Sequence, residues 1–337
     1  MVKNRLFVAV VVALCPLSAL ADISLYGRAH VSLDYLDNGA GYGGANVSSN
    51  ASRFGIRAQH HIGSLTALAQ IEQEINMAQG NGASWASRDT FVGIKGEPWG
   101  MLRVGRFDSP FKAARGPANL FGDQLGDMRN LTRVGDARFD ERLPNSVHYQ
   151  TPAWQGWQGN LAYSLHDGEE QAPEKKEDAY SLSLTYEQAS LSAAVAYEFH
   201  NQNKSRGHRQ GVRVALGAKV KDPLTLVAFY QYVNHKAEDA DSHTYGLGTA
   251  FKVLPQTTMK AMYMYRAGEA KKDRADLIAV GVEHSISRPL RVYANYAVVL
   301  NDEESALTPS QQGRSTTVKG VVNENASGVS MGLRYDF

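Results

Sequence analysis

The last nine residues, Val329-Ser330-Met331-Gly332-Leu333-Arg334-Tyr335-Asp336-Phe337, alternate apolar with small or polar side chains and finish on an aromatic. Strand geometry sends successive side chains to opposite faces, so this spacing puts an apolar comb on one face and a wet comb on the other. A terminal strand in an open sheet leaves one edge unpaired and frays. A strong strand here therefore calls for partners on both sides, as in a closed barrel with its apolar comb facing outward.

The opposite end sets the compartment. Lys3 and Arg5 precede an apolar run over 6–14, and Ala19-Leu20-Ala21 supplies small residues before Asp22. This reads as a secretory signal peptide, 1–21, cleaved after Ala21. The run is shorter than the ~20 residues a spanning helix needs, and Pro16 interrupts it. The one cysteine, Cys15, lies inside this leader, so residues 22–337 form one domain without disulfides or thiolate metal sites. Removing Lys3 and Arg5 leaves 33 basic against 34 acidic residues, a formal charge of −1. That balance predicts no nucleic-acid partner.

No later apolar stretch approaches ~18 residues, the length expected of a membrane helix. A barrel strand escapes that test because every second residue faces water, which halves its apolar signal. From Asp22 onward, segments of ~10 residues with period-two alternation follow one another, about the length a tilted membrane strand needs. Short connections are expected at 62–64, 96–100, 155–159, 187–190, 221–223, 254–257 and 287–289. Long ones are expected at 38–51, 78–87, 113–143, 167–178, 201–209, 235–243, 268–275 and 301–326. These seven turns and eight loops join sixteen antiparallel strands, with the termini on the periplasmic side.

Several combs are clean. Leu191, Ala193, Val195, Tyr197 and Phe199 are expected to face lipid or a neighbouring subunit, opposite Ser192, Ala194, Ala196, Glu198 and His200. Arg213 and Lys219 fall on the inner comb of their strand. Between Leu224 and Val233 both combs are apolar, and the faces stay unassigned. Tyr26, Tyr35, Trp99, Trp157, Tyr186 and Phe251 lie near strand ends, where they suit aromatic girdles. The charged tract 167–178 and the Ser/Thr/Gln/Asn-rich tract 304–327 read as exposed loops.

Chemical motifs are few. Gly328-Val329-Ser330-Met331-Gly332 has nucleophile-elbow spacing but lies in the terminal strand, where the required strand, turn and helix cannot form. Gly39 to Gly44 has dinucleotide-loop spacing without a following helix. The histidines, including His60-His61, lack metal-ligand spacing. Asp34, Glu72 and Glu74 on the inner comb are expected to balance wall cations such as Arg28 or Arg57 rather than act as acid and base. No catalytic residue, metal or cofactor is expected.

The ordered motifs resemble the Gram-negative general porins, the trimeric outer-membrane diffusion porins of proteobacteria. They are Leu25-Tyr26-Gly27-Arg28, Ser52-Arg53-Phe54-Gly55-Ile56, Phe91-Val92-Gly93-Ile94-Lys95-Gly96, Val104-Gly105-Arg106-Phe107, Asn145-Ser146-Val147-His148-Tyr149 and the end from Gly332. The resemblance implies an all-β fold, a transmembrane sixteen-stranded antiparallel barrel with the third loop folded into the lumen. It implies a homotrimer in outer-membrane lipid and lipopolysaccharide, passing ions and small hydrophilic solutes. A substrate-specific channel or barrel adhesin is the alternative; a barrel enzyme stands further off.

The resemblance also places a basic wall at the constriction, facing acids on the third loop. Arg28, Arg53, Arg57, Arg103, Arg106 and Arg142 map to that wall. Strand parity supports Arg28 and Arg53, but it sets Arg106 on the comb of Leu102 and Val104 unless a bulge intervenes; Arg103 points inward. Where relatives often carry Pro-Glu-Phe-Gly-Gly, this chain reads Asn119-Leu120-Phe121-Gly122-Asp123. Asp123 and Asp127 are the nearest substitutes for the missing acid. Arg115, Arg129, Arg133 and Arg138 enrich the segment in cations, so the eyelet is expected to favour anions. The alternative pairs these arginines with Asp136, Asp140 and Glu141.

Overall fold

A computed structural model describes residues 21–82, 85–165, 178–201, 206–236, 241–269 and 272–337. The expected leader lies outside these residues except for Ala21, as does the expected loop 167–178 except for Asp178. Sixteen antiparallel crossings close into one barrel. The seam is the pairing of Asp22–Asp37 with Ala326–Asp336, from Arg28 opposite Asp336 to Asp37 opposite Ser327. The terminal strand thus has a partner on each side, the second being Leu290–Asn301. No edge is left open for another chain to pair with. The nucleophile-like motif around Ser330 lies inside this strand, as expected.

The second crossing differs from expectation. It begins at Gly43–Ser49, breaks at 50–52 and continues as Arg53–Ile62, both pieces pairing with the first strand. The connection before it is therefore only 38–42. Ala51 takes a left-handed φ of 52° at the break, while the Asn50 N–H still reaches the His30 carbonyl at 2.8 Å. Tight turns fall where the sequence places them, as between Ile62 and Leu65, Gln188 and Leu191, Lys221 and Leu224, and Leu254 and Thr257.

Leu25, Leu33, Val92, Leu247 and Met331 stand exposed on the outer face, an apolar belt of the kind a transmembrane barrel turns outward. In Leu191–His200 the inner comb Ala194, Ala196, Glu198 and His200 is buried while Leu191 and Val195 are exposed, as the alternation predicts. Tyr26 is a correction. It shares the inner comb with Arg28, and its hydroxyl donates to Glu72 at 3.0 Å instead of joining an outer girdle.

The third long loop, 109–141, runs inside the barrel. Ser109 starts it by accepting the Lys112 N–H at 3.1 Å, capping a short helix at Pro110–Ala113. A 3₁₀ turn at Gly116–Ala118 and a helical turn at Arg129–Thr132 follow. Phe121, Leu125 and Met128 between them, with Leu131 of the second, pack onto Val227, Phe229, Met264, Leu277, Ala279 and Val299 of the inner wall. This explains the strand the sequence left unassigned: Leu224–His235 turns Val227, Phe229 and Val233 inward because the loop, not water, covers them. Gly126 marks one close approach. At φ +84° it lies so near the wall that a Cβ would sit 2.6 Å from that of Ala279.

Polar anchors hold the loop's ends. Arg213 faces inward as expected, yet it is fully buried, donating to Asp140 at 2.6 Å and to the Phe111 carbonyl at 2.8 Å. Arg209 donates to the Arg138 carbonyl at 3.1 Å. The last long loop, 302–325, also departs from expectation. Ser305, Thr308 and Ser310 are buried, because the loop folds into the barrel mouth, where its polar groups meet the wall and the third loop instead of solvent.

Candidate functional site: a cationic constriction

The third loop covers one side of the lumen and leaves a cavity of about 900 Å³ against the other. Twelve arginine or lysine side chains line it, against seven carboxylates. All six arginines expected on the basic wall are among them. Arg106 comes in beside Arg103 because the pairing of Gly100–Asp108 with Arg142–Gln150 slips between Gly105 and Phe107. A one-residue slip exchanges faces, so the bulge resolves the parity conflict in favour of both arginines.

The six differ in what holds them. Arg28 donates to Asp336 at 2.7 Å and lies 3.5 Å from Asp123. Arg53 is 3.6 Å from Glu72, and Arg142 meets Asp89 at 2.7 Å and Asp108 at 3.1 Å. The other three have no carboxylate within ion-pair distance among the described residues. Arg57 stacks 3.8 Å above the Tyr26 ring and donates Nε to Gln70 at 2.9 Å. Arg103 lies 4.2 Å over Phe107 and 4.8 Å over Phe91, donating Nε to His148 at 2.9 Å. Each is oriented by an aromatic face and a neutral acceptor, which leaves its remaining N–H donors for a solute. Arg106 is exposed in the cavity.

The loop acids divide. Asp123 lines the cavity, bonded to Arg129 at 2.6 Å. Burial pushes its carboxyl up, but Arg129, Arg115 and Arg28 outweigh that and hold it well below the usual carboxylate range. Asp127 is fully buried behind it, accepting from Arg129 and from the Asp123 N–H at 2.7 Å. It supports the loop and does not line the cavity. Leu120 turns to the apolar wall. Two more loop arginines pair and line the cavity at once: Arg115 is 3.3 Å from Asp140 and Arg133 is 3.7 Å from Glu141. Arg138, the fourth, is not part of the lining and has no carboxylate within ion-pair distance among the described residues.

Sequence reasoning missed Arg88, Lys112 and Arg206. Glu72 and Glu74 are balanced by Arg88, at 2.5 and 3.1 Å, rather than by Arg28 or Arg57. Asp34 pairs with Arg314. Lys112 lies one residue before the expected loop boundary; its signal was the Ser-Pro helix start and an Asp108 four residues earlier, now 2.7 Å away. Burial pulls the Lys112 ammonium down to about 8, with Asp108 opposing the fall and Arg142 and Arg115 adding to it.

The family profile described as Gram-negative porin matches residues 8–304. Major outer membrane protein P.IB of Neisseria meningitidis serogroup A is 25% identical over 305 residues, covering 85% of this chain and 90% of the relative. The P.IB protein of Neisseria gonorrhoeae is 26% identical over 285 residues, 79% of each chain. Among solved structures, an anion-selective porin from Comamonas acidovorans superposes with a TM-score of 0.81 at 21% identity, over 94% of this chain and all of that one. A trimer form of OmpT from Vibrio cholerae gives 0.68 at 16% identity, over 94% and 99%.

Proposed function

Since the chain belongs to the Gram-negative porin family and forms an outer-membrane β-barrel channel, we propose that its constriction favours small anions over cations. The excess of cations over carboxylates around the cavity carries this reading. Such a rim inside low-dielectric walls focuses a positive potential on any solute crossing it. Passage requires attraction strong enough to admit an anion and weak enough to release it, from several sites in turn. Arg57, Arg103 and Arg106 meet that need, because an arriving anion displaces no ion pair from them. Arg28, Arg53 and Arg142 hold the acids of the wall in check.

The proposed working unit is a homotrimer whose outer belt is in contact with lipid and lipopolysaccharide and whose leader, 1–21, is removed. Support for the trimer is the fully projecting Trp85, 83% exposed on the second long loop, where a neighbouring subunit can receive it. The flux is passive, of ions and small hydrophilic solutes, with no chemical step at the wall. The test is a planar bilayer under a potassium chloride gradient. Ohmic steps in threes with an anion-selective reversal potential are expected; a cation-selective potential contradicts the charge reading, and single steps contradict the trimer.

A further inference from the structure

The last long loop, 302–325, bridges the wall of the first two crossings and the third loop, which otherwise meet through Arg28 beside Asp123 and Leu36 beside the loop's apolar side chains. On one side it grips the wall of the first two crossings. The Ser315 N–H donates to the Ser49 carbonyl at 2.9 Å, the Ser49 N–H returns a bond to Ser315 Oγ at 2.8 Å, and Thr316 Oγ1 donates to the Val47 carbonyl at 2.8 Å. Arg314 reaches Asp34, both side chains being fully buried.

On its other side the same loop holds the third loop. The Pro309 carbonyl accepts from the Gly126 N–H at 3.0 Å and from Asn130 Nδ2 at 2.8 Å. The Gln312 N–H donates to Asn130 Oδ1 at 3.0 Å, and Arg133 Nη1 donates to Gln312 Oε1 at 2.9 Å. Between these contacts Gly313 reaches the cavity in a left-handed turn at φ +72°. A Cβ there would lie 2.3 Å from Arg129 Nη2 and 2.9 Å from Asp123 Oδ1. Gly313 backbone therefore sits directly on the Asp123–Arg129 pair at the cavity.

We propose that Arg314, through Asp34, is the positioning residue by which the loop 302–325 keeps the Asp123–Arg129 pair at the eyelet. Apolar packing fixes the third loop against the far wall and reaches the first strand at Leu36; beside Asp123 the hold is polar, from Arg28 at 3.5 Å and from the backbone of the last loop. A buried ion pair is a poor source of net stability and a good determinant of place, because a charge left alone there is costly. This pair is also only partly satisfied: Asp34 Oδ1 and Arg314 Nε and Nη1 have no hydrogen-bond partner among the described residues. Replacing both charges together should therefore loosen the loop without unfolding the barrel.

The inference rests on the reading of the cavity as the permeation path. The test combines Asp34→Asn with Arg314→Gln, which removes one charge of each sign and leaves net charge unchanged. Single-channel conductance and open-state noise are expected to rise above wild type in potassium chloride. Ser49→Cys with Ser315→Cys, added to that background, is expected to restore wild-type conductance when oxidised and to lose it again on reduction, since the backbone bond brings the two positions within disulfide reach. In the wild-type background the oxidised pair should leave conductance unchanged, which keeps the test alive if the double variant does not fold. Conductance and noise equal to wild type in the double variant, or a cross-link that fails to form or alters the wild-type channel, overturns the proposal while leaving anion selectivity standing. A wild-type barrel that passes no current overturns the permeation reading itself.

Discussion

The two sides of the lumen obey opposite rules. Strands from Arg209–Lys221 through Leu290–Asn301 turn Ala215, Phe229, Met264, Leu277 and Val299 inward, and the third loop seals them from water. Strands from Asp22–Asp37 through Arg142–Gln150 turn Arg28, Arg53, Arg57, Arg103 and Arg142 inward, and the open cavity lies before them. Where the loop covers the barrel interior the wall is largely apolar and its buried charges are paired, as Arg213 is with Asp140. The first side behaves as a protein core and fixes where the loop lies; the second behaves as a solvated surface and sets which solutes pass.

The comparison breaks most sharply at the anchor joining the two sides. Asp140 and Arg213 are both fully buried, so Asp140→Ala strands a charge and should cost about 3–5 kcal/mol in the seating of the loop. Flickering, enlarged conductance steps and faster proteolysis within 109–141 are the expected signs; quiet wild-type steps would show that the apolar packing suffices alone. Leu120→Glu comes next. It restores an acid where relatives often carry one, but on the dry side, and should cost about 1–3 kcal/mol as an unpartnered polar group. Noise should rise with little change in reversal potential. A clean shift toward cations with steady conductance would place residue 120 at the water instead.

The wet side should answer in selectivity and not in noise. Arg106→Gln removes an exposed cation without a carboxylate partner, so the reversal potential should fall toward zero while step size and thermal unfolding stay near wild type. A smaller effect should come from pH. Lys112 lines the cavity with its ammonium pulled down to about 8 by burial. It is charged below that pH and neutral above it, so anion preference should weaken modestly between pH 7 and pH 9, and Lys112→Gln should flatten that segment of the profile. An unchanged profile in the variant would assign the titration to another group.

Much of this was legible because side-chain alternation and turn chemistry are local. The strand count, the tight turns and the inward parity of Arg28 and Arg53 need only neighbours in sequence. Arg106 was ambiguous because one bulge exchanges faces, and nothing but pairing with the next strand reveals the slip after Gly105. Both combs of Leu224–His235 looked apolar because a distant segment covers the inner one. The last loop was misread for the converse reason. Ser305, Thr308 and Ser310 have the composition of an exposed loop, but hydrogen bonds made inside the mouth bury them. Leu120 was read as a lost eyelet acid, whereas its side chain belongs to the core of the dry side.

The division of labour is tested most directly by the reversal potential of a channel carrying Arg57→Gln, Arg103→Gln and Arg106→Gln, measured beside wild type under a potassium chloride gradient. The account predicts a large loss of anion preference with steps that remain stable and grouped in threes. An unchanged reversal potential, or loss of stable steps, would contradict it, since either result would mean that these three arginines hold the structure together instead of selecting what passes.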